Sequence, residues 1–363
     1  LWTDTQSEER HVRDCLVEER CILEGVGTSV LNIRFGTTWR DLRMSLEHVG
    51  MGPDASHVFL HVLAALAAGL VLVLANRLAG GPWAGMIALL AYVVIYPPAT
   101  QLVRMLFNLR ILPFLGLLVT TLLVIAQQRR SHVELFVASA VAALATEIHP
   151  ACGALVVPVA VTALLVPRPA RSLAASAAAF VGILTLSPQS WLNNLRTLAG
   201  GSPVPIDTSS EPFDHPVVLL TATAAALIAL VLYRRDAARR GAWAVAFATL
   251  AGITLAYEGM GRFLVGSRPG PTYLLPWFGV SIAVIAAAVA ACVEALATCV
   301  RGRLAQSTDT TTRSGRLSTA AVLVAGTLVS GTVALWPDVA GTWPPVAGKP
   351  TLSLSEALDV GRA

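Results

Sequence analysis

The chain has 363 residues, of which 55% are hydrophobic and 13% are charged, and its formal net charge at pH 7 is +4. Soluble domains contain roughly 25% charged residues, so a soluble protein of this length would have too few charges to cover its surface. This composition excludes a soluble globular domain and predicts an all-α membrane protein with about ten transmembrane helices. The small net charge is not a nucleic-acid signal, but its distribution along the chain carries information about orientation.

The first 56 residues form a polar segment ahead of the apolar runs. Ten of the 22 acidic residues fall between Asp4 and Asp54. Thr5-Gln6-Ser7-Glu8 has the spacing of a capping box, in which the threonine and glutamate side chains satisfy free backbone N–H groups at a helix start. We therefore expect residues 1–56 to form a water-exposed first loop with short helices, placing chemistry at a membrane surface.

A second helix start follows in the same loop. Thr38-Trp39-Arg40-Asp41 repeats the capping signal, and Gly50 marks the expected end of the helix. Two interpretations are open: a helix lying in the bilayer interface with an arginine-rich flank, or an amphipathic helix packed on a protein core. Arg40, Arg43 and Glu47 fall outside the predicted apolar stripe, which consists of Trp39, Leu42, Leu46 and Val49.

Residues 57–336 are predicted to form the transmembrane helical domain, and residues 337–363 an extracytoplasmic tail. Apolar runs of about 16–25 residues without charges qualify as spanning helices. The predicted spans are 57–76, 82–98, 111–127, 133–149, 151–166, 172–187, 216–233, 242–258, 273–296 and 317–336.

The basic residues indicate how these spans are oriented. If the acidic first loop lies outside, the inside loops carry thirteen arginines, whereas the later outside loops and the tail carry seven basic residues. Cytoplasmic loops are enriched in Lys and Arg, so the first loop, the loop 188–215 and the tail are predicted to be extracytoplasmic. Within the loop 188–215, Trp191-Leu192-Asn193-Asn194-Leu195 is expected to form a short interfacial helix. Lys349 is the single lysine, and this arginine bias is typical of a GC-rich bacterial genome, which suggests the bacterial inner membrane.

Two features of the N-terminal region depend on this topology. Cys15 and Cys21 would both lie outside, where an oxidising compartment favours a disulfide if the helix breaks before Cys21. The chain begins with Leu1, and no signal peptide precedes the outer loop. We therefore expect this sequence to be a fragment whose first spanning helix lies upstream.

Polar residues gather at the span ends that this topology places outside. Ionisable groups near bilayer depth are costly and usually line a cavity. Each has an ordinary alternative as a helix-end or interfacial residue, but their convergence on one face predicts an outward-facing site. They are Arg104, Asn108, Arg110, Glu147, His149, Glu258, Arg262 and Arg268, which face Asp4, Glu8 and Glu9 of the first loop.

Acids and arginines together at an outer interface suit a lipid-phosphate donor. Arg104, Arg262 and Arg268 are the candidate phosphate contacts, because a guanidinium matches phosphate oxygens bidentately. A carboxylate can act as general base on an acceptor hydroxyl or amine, or help to hold a divalent metal, which is the one cofactor we consider. The chain contains no nucleotide-binding glycine loop, no HExxH zinc motif and no GxSxG motif of serine hydrolases.

Three stretches of the chain resemble local motifs of one enzyme family. Gly85-Met86-Ile87-Ala88-Leu89-Leu90 leads to Tyr96-Pro97-Pro98, Ala143-Leu144-Ala145 precedes His149-Pro150, and Tyr273-Leu274-Leu275-Pro276 opens a late span. With an acid near the start of an outer first loop, this arrangement resembles the GT-C membrane glycosyltransferases. These are the bacterial relatives of protein O-mannosyltransferases and of the aminoarabinose transferase that modifies lipid A. The resemblance covers roughly residues 1–290.

This resemblance implies transfer of a sugar from a polyprenyl-phosphate carrier to an extracytoplasmic lipid, glycan or protein acceptor. The family's catalytic acid falls on Asp4, or on Glu8 or Glu9, since the common Asp-Glu pair is absent here. Tyr273 joins the expected cavity-lining residues Asn108, Glu147, His149 and Glu258. Thr272 stands where the family has an arginine before this tyrosine.

Two other functions are considered. A transporter or flippase for a lipid-linked substrate would fit a multi-pass protein, although transporters usually carry ionisable residues or broken helices near mid-span. A degenerate, non-catalytic membrane scaffold is the third hypothesis, because the chain departs from the family pattern in two places, the absent Asp-Glu pair and Thr272.

Overall fold

The computed structural model of the protein describes residues 37–50, 53–95, 111–189, 216–259 and 275–305, together with residues 191, 192, 194 and 196. All regular structure in these ranges is helical, which confirms the all-α class. In chain order it comprises α1 (Thr38–His48), α2 (Pro53–Ala79), α3 (Pro82–Ile95), α4 (Leu112–Arg129), α5 (His132–Ile148), a 3-10 helix (Pro150–Leu155), α6 (Val156–Leu165), α7 (Pro169–Leu184), α8 (Pro216–Leu232), α9 (Ala237–Gly259) and α10 (Leu275–Ala305).

Proline determines where several of these helices begin and where α5 ends. In the first turn of a helix proline removes no hydrogen bond, since the N–H groups there have no intrahelical partner. His149 has an extended backbone (φ −151°, ψ 116°), as the steric demand of the following Pro150 requires, so α5 cannot continue. The prolines in first turns of described α-helices are Pro53, Pro82, Pro113, Pro158, Pro169, Pro216 and Pro276.

Four short connections reverse the chain at one end of the helix bundle. They are residues 80–81, 130–131, 166–168 and 233–236. Gln128 Nε2 donates to the carbonyl oxygen of Arg77 (2.9 Å), which ties two of these connections together. We term this the arginine-rich end, because nine arginines lie in or next to these connections: Arg77, Arg129, Arg130, Arg168, Arg171, Arg234, Arg235, Arg239 and Arg240.

The opposite end of the bundle, termed the α1 end, carries the short helix α1. It also contains the last turn of α5 and the described residues of 187–196, which are helical from residue 188 onwards. Helix α1 packs against α5 and α2. The described parts of the loops that were predicted to share one side of a membrane therefore do lie at the same end of the bundle.

Arg239 joins three parts of the arginine-rich end. Its guanidinium lies over the ring of Tyr233, 5.1 Å from the centroid, and pairs with Asp236 (3.5 Å) and with Glu294 of α10 (3.6 Å). It also packs on Gly80, whose φ of +79° favours glycine and where a Cβ would lie 3.2 Å from Arg239 Nη2. The turn after α2, the turn after α8 and helix α10 are thus held together by one side chain.

Helix α4 lies at the centre of the bundle and packs against α2, α5, α9 and α10. Small residues allow the neighbouring backbones to approach closely, a common device in apolar helix bundles. A Cβ on Gly279 of α10 would lie 2.8 Å from Leu117 Cδ1 of α4. A Cβ on Gly252 of α9 would lie 3.0 Å from Val157 Cβ and 3.3 Å from the carbonyl oxygen of Ala154.

Large apolar side chains project from the surface of the bundle. Val62 and Leu66 on α2 are each 51% exposed, Leu90 on α3 is 62% exposed and Val181 on α7 is 60% exposed. Such apolar faces mark contact with a membrane or a protein partner rather than with water. Among the described residues, three helices are long and apolar enough to cross a membrane, namely Val58–Ala79, Leu112–Arg129 and Trp277–Thr298. Together these features indicate membrane association.

Nine of the ten predicted spans correspond to helices, and the tenth, 317–336, lies outside the described residues, as does the tail 337–363.

The run 151–166 starts as a 3-10 helix, because Pro158 has no N–H to donate to the Ala154 carbonyl in a continuous α-helix. Helix α9 begins five residues before the predicted span 242–258, since Asp236 Oδ1 accepts the backbone N–H groups of Ala238 and Arg239 (3.1 Å each) and caps it.

Candidate functional site

A buried carboxylate lies at the α1 end of the bundle. Glu147 is the penultimate residue of α5, and its side chain is 0% exposed. One carboxylate oxygen accepts the indole N–H of Trp191, and the other accepts a long hydrogen bond from the Thr38 hydroxyl (3.5 Å). A buried carboxylate requires such donors, because removing it from water without them is costly. Glu147 therefore joins three segments that are distant in sequence.

A second pair of residues supports this arrangement. The backbone N–H of Thr37 donates to Ser187 Oγ (2.8 Å), and the two hydroxyl groups lie 2.9 Å apart. Both side chains are buried. We refer to Thr37, Thr38, Glu147, Ser187 and Trp191 as the Glu147 cluster. Through it, the start of α1 is fastened to α5 and to the segment that follows α7.

The face of α1 that packs on the bundle differs from the predicted apolar stripe. Trp39 is buried as predicted, but Arg43, one turn further on, is also buried (1% exposed), whereas Val49 is 71% exposed. The predicted placement of Arg43 on the outer flank was therefore wrong. Residues four apart lie on the same helix face, so the packing of Trp39 carries Arg43 inward with it. Of the two open interpretations, the structure favours a helix packed on protein.

His149 and Asn194 are two further polar residues that are buried at this end of the bundle. They are 4% and 3% exposed. The backbone N–H of His149 donates to the Ala145 carbonyl (2.8 Å), which closes the last turn of α5. Because His149 is 4% exposed, its side chain lies in the interior of the bundle and not at an exposed helix end. His149 follows Glu147 by two positions in the chain.

The donors around Glu147 define what this carboxylate can hold. They are the indole N–H of Trp191 and the hydroxyl groups of Thr38 and Ser187, and the indole nitrogen can only donate. A divalent cation needs several oxygen ligands, and an N–H directed at the same carboxylate does not suit one. Among the described residues no three His, Cys, Asp or Glu side chains are grouped for metal binding. The Glu147 cluster thus suits a positioning role or contact with a neutral hydroxyl group.

Of the residues predicted to form the site, the structure describes the side chains of two. Glu147 and His149 are both buried at the α1 end. Glu258 lies in the last turn of α9, which ends on the same side. The others lie outside the described residues: Asp4, Glu8, Glu9, Cys15, Cys21, Arg104, Asn108, Arg110, Arg262, Arg268 and Tyr273.

Sequence reasoning did not identify the partners of Glu147. Thr37 and Thr38 look like ordinary capping residues, and Ser187 stands at the end of an apolar run. Trp191 was predicted only as part of an interfacial helix. The one available signal was its indole N–H, since a tryptophan in an apolar segment usually needs an acceptor when it is buried.

Comparison of the chain with protein-family models, with curated proteins and with solved structures gave no match.

Proposed function

We propose that the chain is a membrane-embedded glycosyltransferase that moves a sugar from a polyprenyl-phosphate carrier to an extracytoplasmic acceptor. The observation that carries the proposal is the Glu147 cluster, a buried carboxylate with its donors at the end of the bundle opposite the arginine-rich end. An apolar bundle with polar chemistry at one end suits an enzyme that takes a lipid-linked donor from the membrane.

The arginines support an orientation for this enzyme. Nine of them gather at one end, and arginine-rich ends of membrane proteins face the cytoplasm. The Glu147 cluster then faces the extracytoplasmic side of a bacterial inner membrane. A reaction there has no access to cytosolic nucleotide sugars, which favours a lipid-linked donor.

Each group has a role in this proposal. Asp4, or Glu8 or Glu9, acts as the base on the acceptor, and Arg104, Arg262 and Arg268 hold the phosphate of the carrier. Glu147 is a positioning residue: through Thr38 it fixes α1, which belongs to the same first loop as the three acids. Fixing that loop matters because small displacements of reacting groups strongly reduce the rate.

Binding of undecaprenyl phosphate to the purified protein in detergent, measured by native mass spectrometry, tests the proposal. Wild type is compared with Arg104→Ala, Arg268→Ala and Asp4→Asn. Saturable binding that falls about tenfold or more with either arginine change, but persists with Asp4→Asn, is the expected result. Binding no tighter than that of bulk anionic lipid contradicts the glycosyltransferase.

A non-catalytic scaffold is the second candidate function, and one observation favours it. Both carboxylate oxygens of Glu147 are engaged by the protein's own side chains, which is also what a purely structural clasp requires. A flippase has less support, because transporter sites usually lie near the middle of the membrane. The charged residues of the three candidate spans are instead near one end of each span, namely Arg77, Arg129 and Glu294. The scaffold predicts no saturable binding of undecaprenyl phosphate.

A further inference from the structure

We propose that the arginines around the starts of α5 and α7 form a binding surface for the headgroups of anionic phospholipids. This surface, termed the α5–α7 arginine rim, consists of Arg129, Arg130, Arg168 and Arg171. It lies at the arginine-rich end, away from the Glu147 cluster, and the inference does not rest on the proposed glycosyltransferase.

A hydrogen bond holds the two halves of the rim side by side. His132 Nδ1 and Ser172 Oγ are 3.0 Å apart, which joins the first residue of α5 to the first turn of α7. Helices α5 and α7 also pack against each other along their length. All four arginines lie within four residues of this contact, and all four are exposed. The rim is therefore one local surface rather than two separate loops.

The rim has a large excess of positive charge. Glu134 is paired with Arg129 (3.3 Å) and also accepts a hydrogen bond from Ser131. Among the described residues, Arg130, Arg168 and Arg171 have no acidic partner within ion-pairing distance. Three exposed guanidinium groups on one surface attract phosphate groups, which they can contact bidentately.

Apolar side chains next to the rim favour a lipid over a soluble anion. Val133 and Phe136 on α5 are 71% and 50% exposed, and Leu164 at the end of α6 is 60% exposed. A surface that places guanidinium groups directly beside exposed apolar residues matches the boundary between lipid headgroups and acyl chains. A dissolved phosphate ion would gain nothing from the apolar part.

Two of the arginines occupy backbone positions that favour glycine. Arg130 has φ 53° and Arg168 has φ 56°, and both are in the left-handed region that L-residues with a side chain rarely adopt. Arg130 is at the C-terminal cap of α4, where its N–H bonds to the carbonyls of Ala126 and Gln127. Two of the positively charged residues are thus at positions where glycine would adopt the backbone conformation with less strain.

This backbone geometry allows a test in which charge is removed at positions whose φ values suit glycine. The double variant Arg130→Gly/Arg168→Gly removes two charges and places glycine where φ is positive. The full-length protein, in neutral detergent, is offered equal amounts of phosphatidylglycerol and phosphatidylcholine, and the retained lipids are counted by native mass spectrometry. Arg130→Lys/Arg168→Lys keeps the charge, and Arg196→Gln removes an exposed arginine from the α1 end.

We expect wild type to retain phosphatidylglycerol at least about fivefold over phosphatidylcholine, and the glycine double variant to lose most of this preference. The lysine double variant and Arg196→Gln should stay within about twofold of wild type. If the glycine variant fails to fold, Arg171→Gln, in the first turn of α7, replaces it. Equal retention of the two lipids by wild type, an unchanged preference in the glycine double variant or in the Arg171→Gln variant that replaces it, or displacement of the lipid by millimolar glycerol phosphate overturns the proposal.

Discussion

Trp191 donates its indole N–H to the buried carboxylate of Glu147, although 44 positions separate the two residues in the chain. This contact joins the segment after α7 to the end of α5, and Thr38 adds the start of α1 to the same carboxylate. The first loop is thereby attached to the bundle at a defined point.

Replacing Glu147 should show how much its hydrogen bonds contribute to the stability of the protein. Glu147→Ala leaves the half-buried donors of Trp191 and Thr38 without this acceptor, and we expect it to lower the free energy of unfolding by about 2 kcal/mol. Glu147→Gln keeps an acceptor oxygen and should cost about half as much or less. The measurement is the thermal unfolding midpoint in detergent. Equal midpoints for the two variants would show that the carboxylate is not held as described.

The matched control for this pair is Glu294→Gln. Glu294 is more than half exposed and pairs with Arg239 at 3.6 Å, so its removal should change the free energy of unfolding by less than about 1 kcal/mol.

Loosening of α1 should be visible by limited proteolysis. Ser187→Ala removes the acceptor of the Thr37 N–H and the partner of its hydroxyl, so α1 should detach more often. Because Arg43 is 1% exposed in the docked helix, trypsin should cleave after it several-fold faster in this variant. Ser281→Ala is the control, since the hydroxyl of this buried serine donates to the Trp277 carbonyl of its own helix (3.1 Å) and to no other part of the described chain. Equal cleavage rates in both variants would contradict the docking contact.

The close approach of α9 to α6 predicts opposite effects for the same substitution at two glycines. Gly252→Ala would place a Cβ 3.0 Å from Val157 Cβ and 3.3 Å from a backbone carbonyl, neither of which can move freely. We expect a loss of about 1–3 kcal/mol in stability from this overpacking. Gly69→Ala in α2 meets nothing within 4 Å, so better helix propensity should add about 0.5–1 kcal/mol. Thermal midpoints that move in the same direction would refute the packing described.

The adjacent arginines at the end of α4 give a second matched pair. Arg130 has a left-handed backbone, so Arg130→Gly should leave stability unchanged or raise it by up to about 1 kcal/mol. Arg129 is the last residue of the helix, where glycine costs conformational entropy, and Arg129→Gly should lower stability by about 0.5–1 kcal/mol. Chemical or thermal unfolding of the two variants in the same detergent provides the comparison.

The helices of the bundle could be predicted from the sequence more readily than their contacts. The predicted span 133–149 matches α5, His132–Ile148, to within one residue at each end, because a charged turn precedes it and Pro150 stops it. Residues 133–149 also contain Glu147, whose polarity at a span end marked it as a candidate site residue. The bounds of α5 and the polarity of Glu147 are local properties of the chain, and a hydrophobic pattern in the sequence is sufficient to reveal them.

The partners of that residue could not be predicted in the same way. Which indole or hydroxyl reaches Glu147 depends on how α1, α5 and the segment after α7 pack together, and no spacing in the sequence records this. The burial of Arg43 is a similar case. A side chain that is charged at its tip but apolar along its stem is assigned to the outside by pattern, whereas the packing of Trp39 decides its position.

The position of Arg239 has a consequence for the order in which the chain assembles. Its neighbours Gly80, Tyr233 and Asp236 are synthesised before it, but its partner Glu294 follows 55 residues later, in α10. Chains are synthesised from the N-terminus, so the earlier helices can meet while the Glu294 carboxylate is still absent. Arrival of α10 then completes the pairing across the arginine-rich end, and a ribosome-bound chain that stops before α10 would carry this guanidinium with one fewer partner.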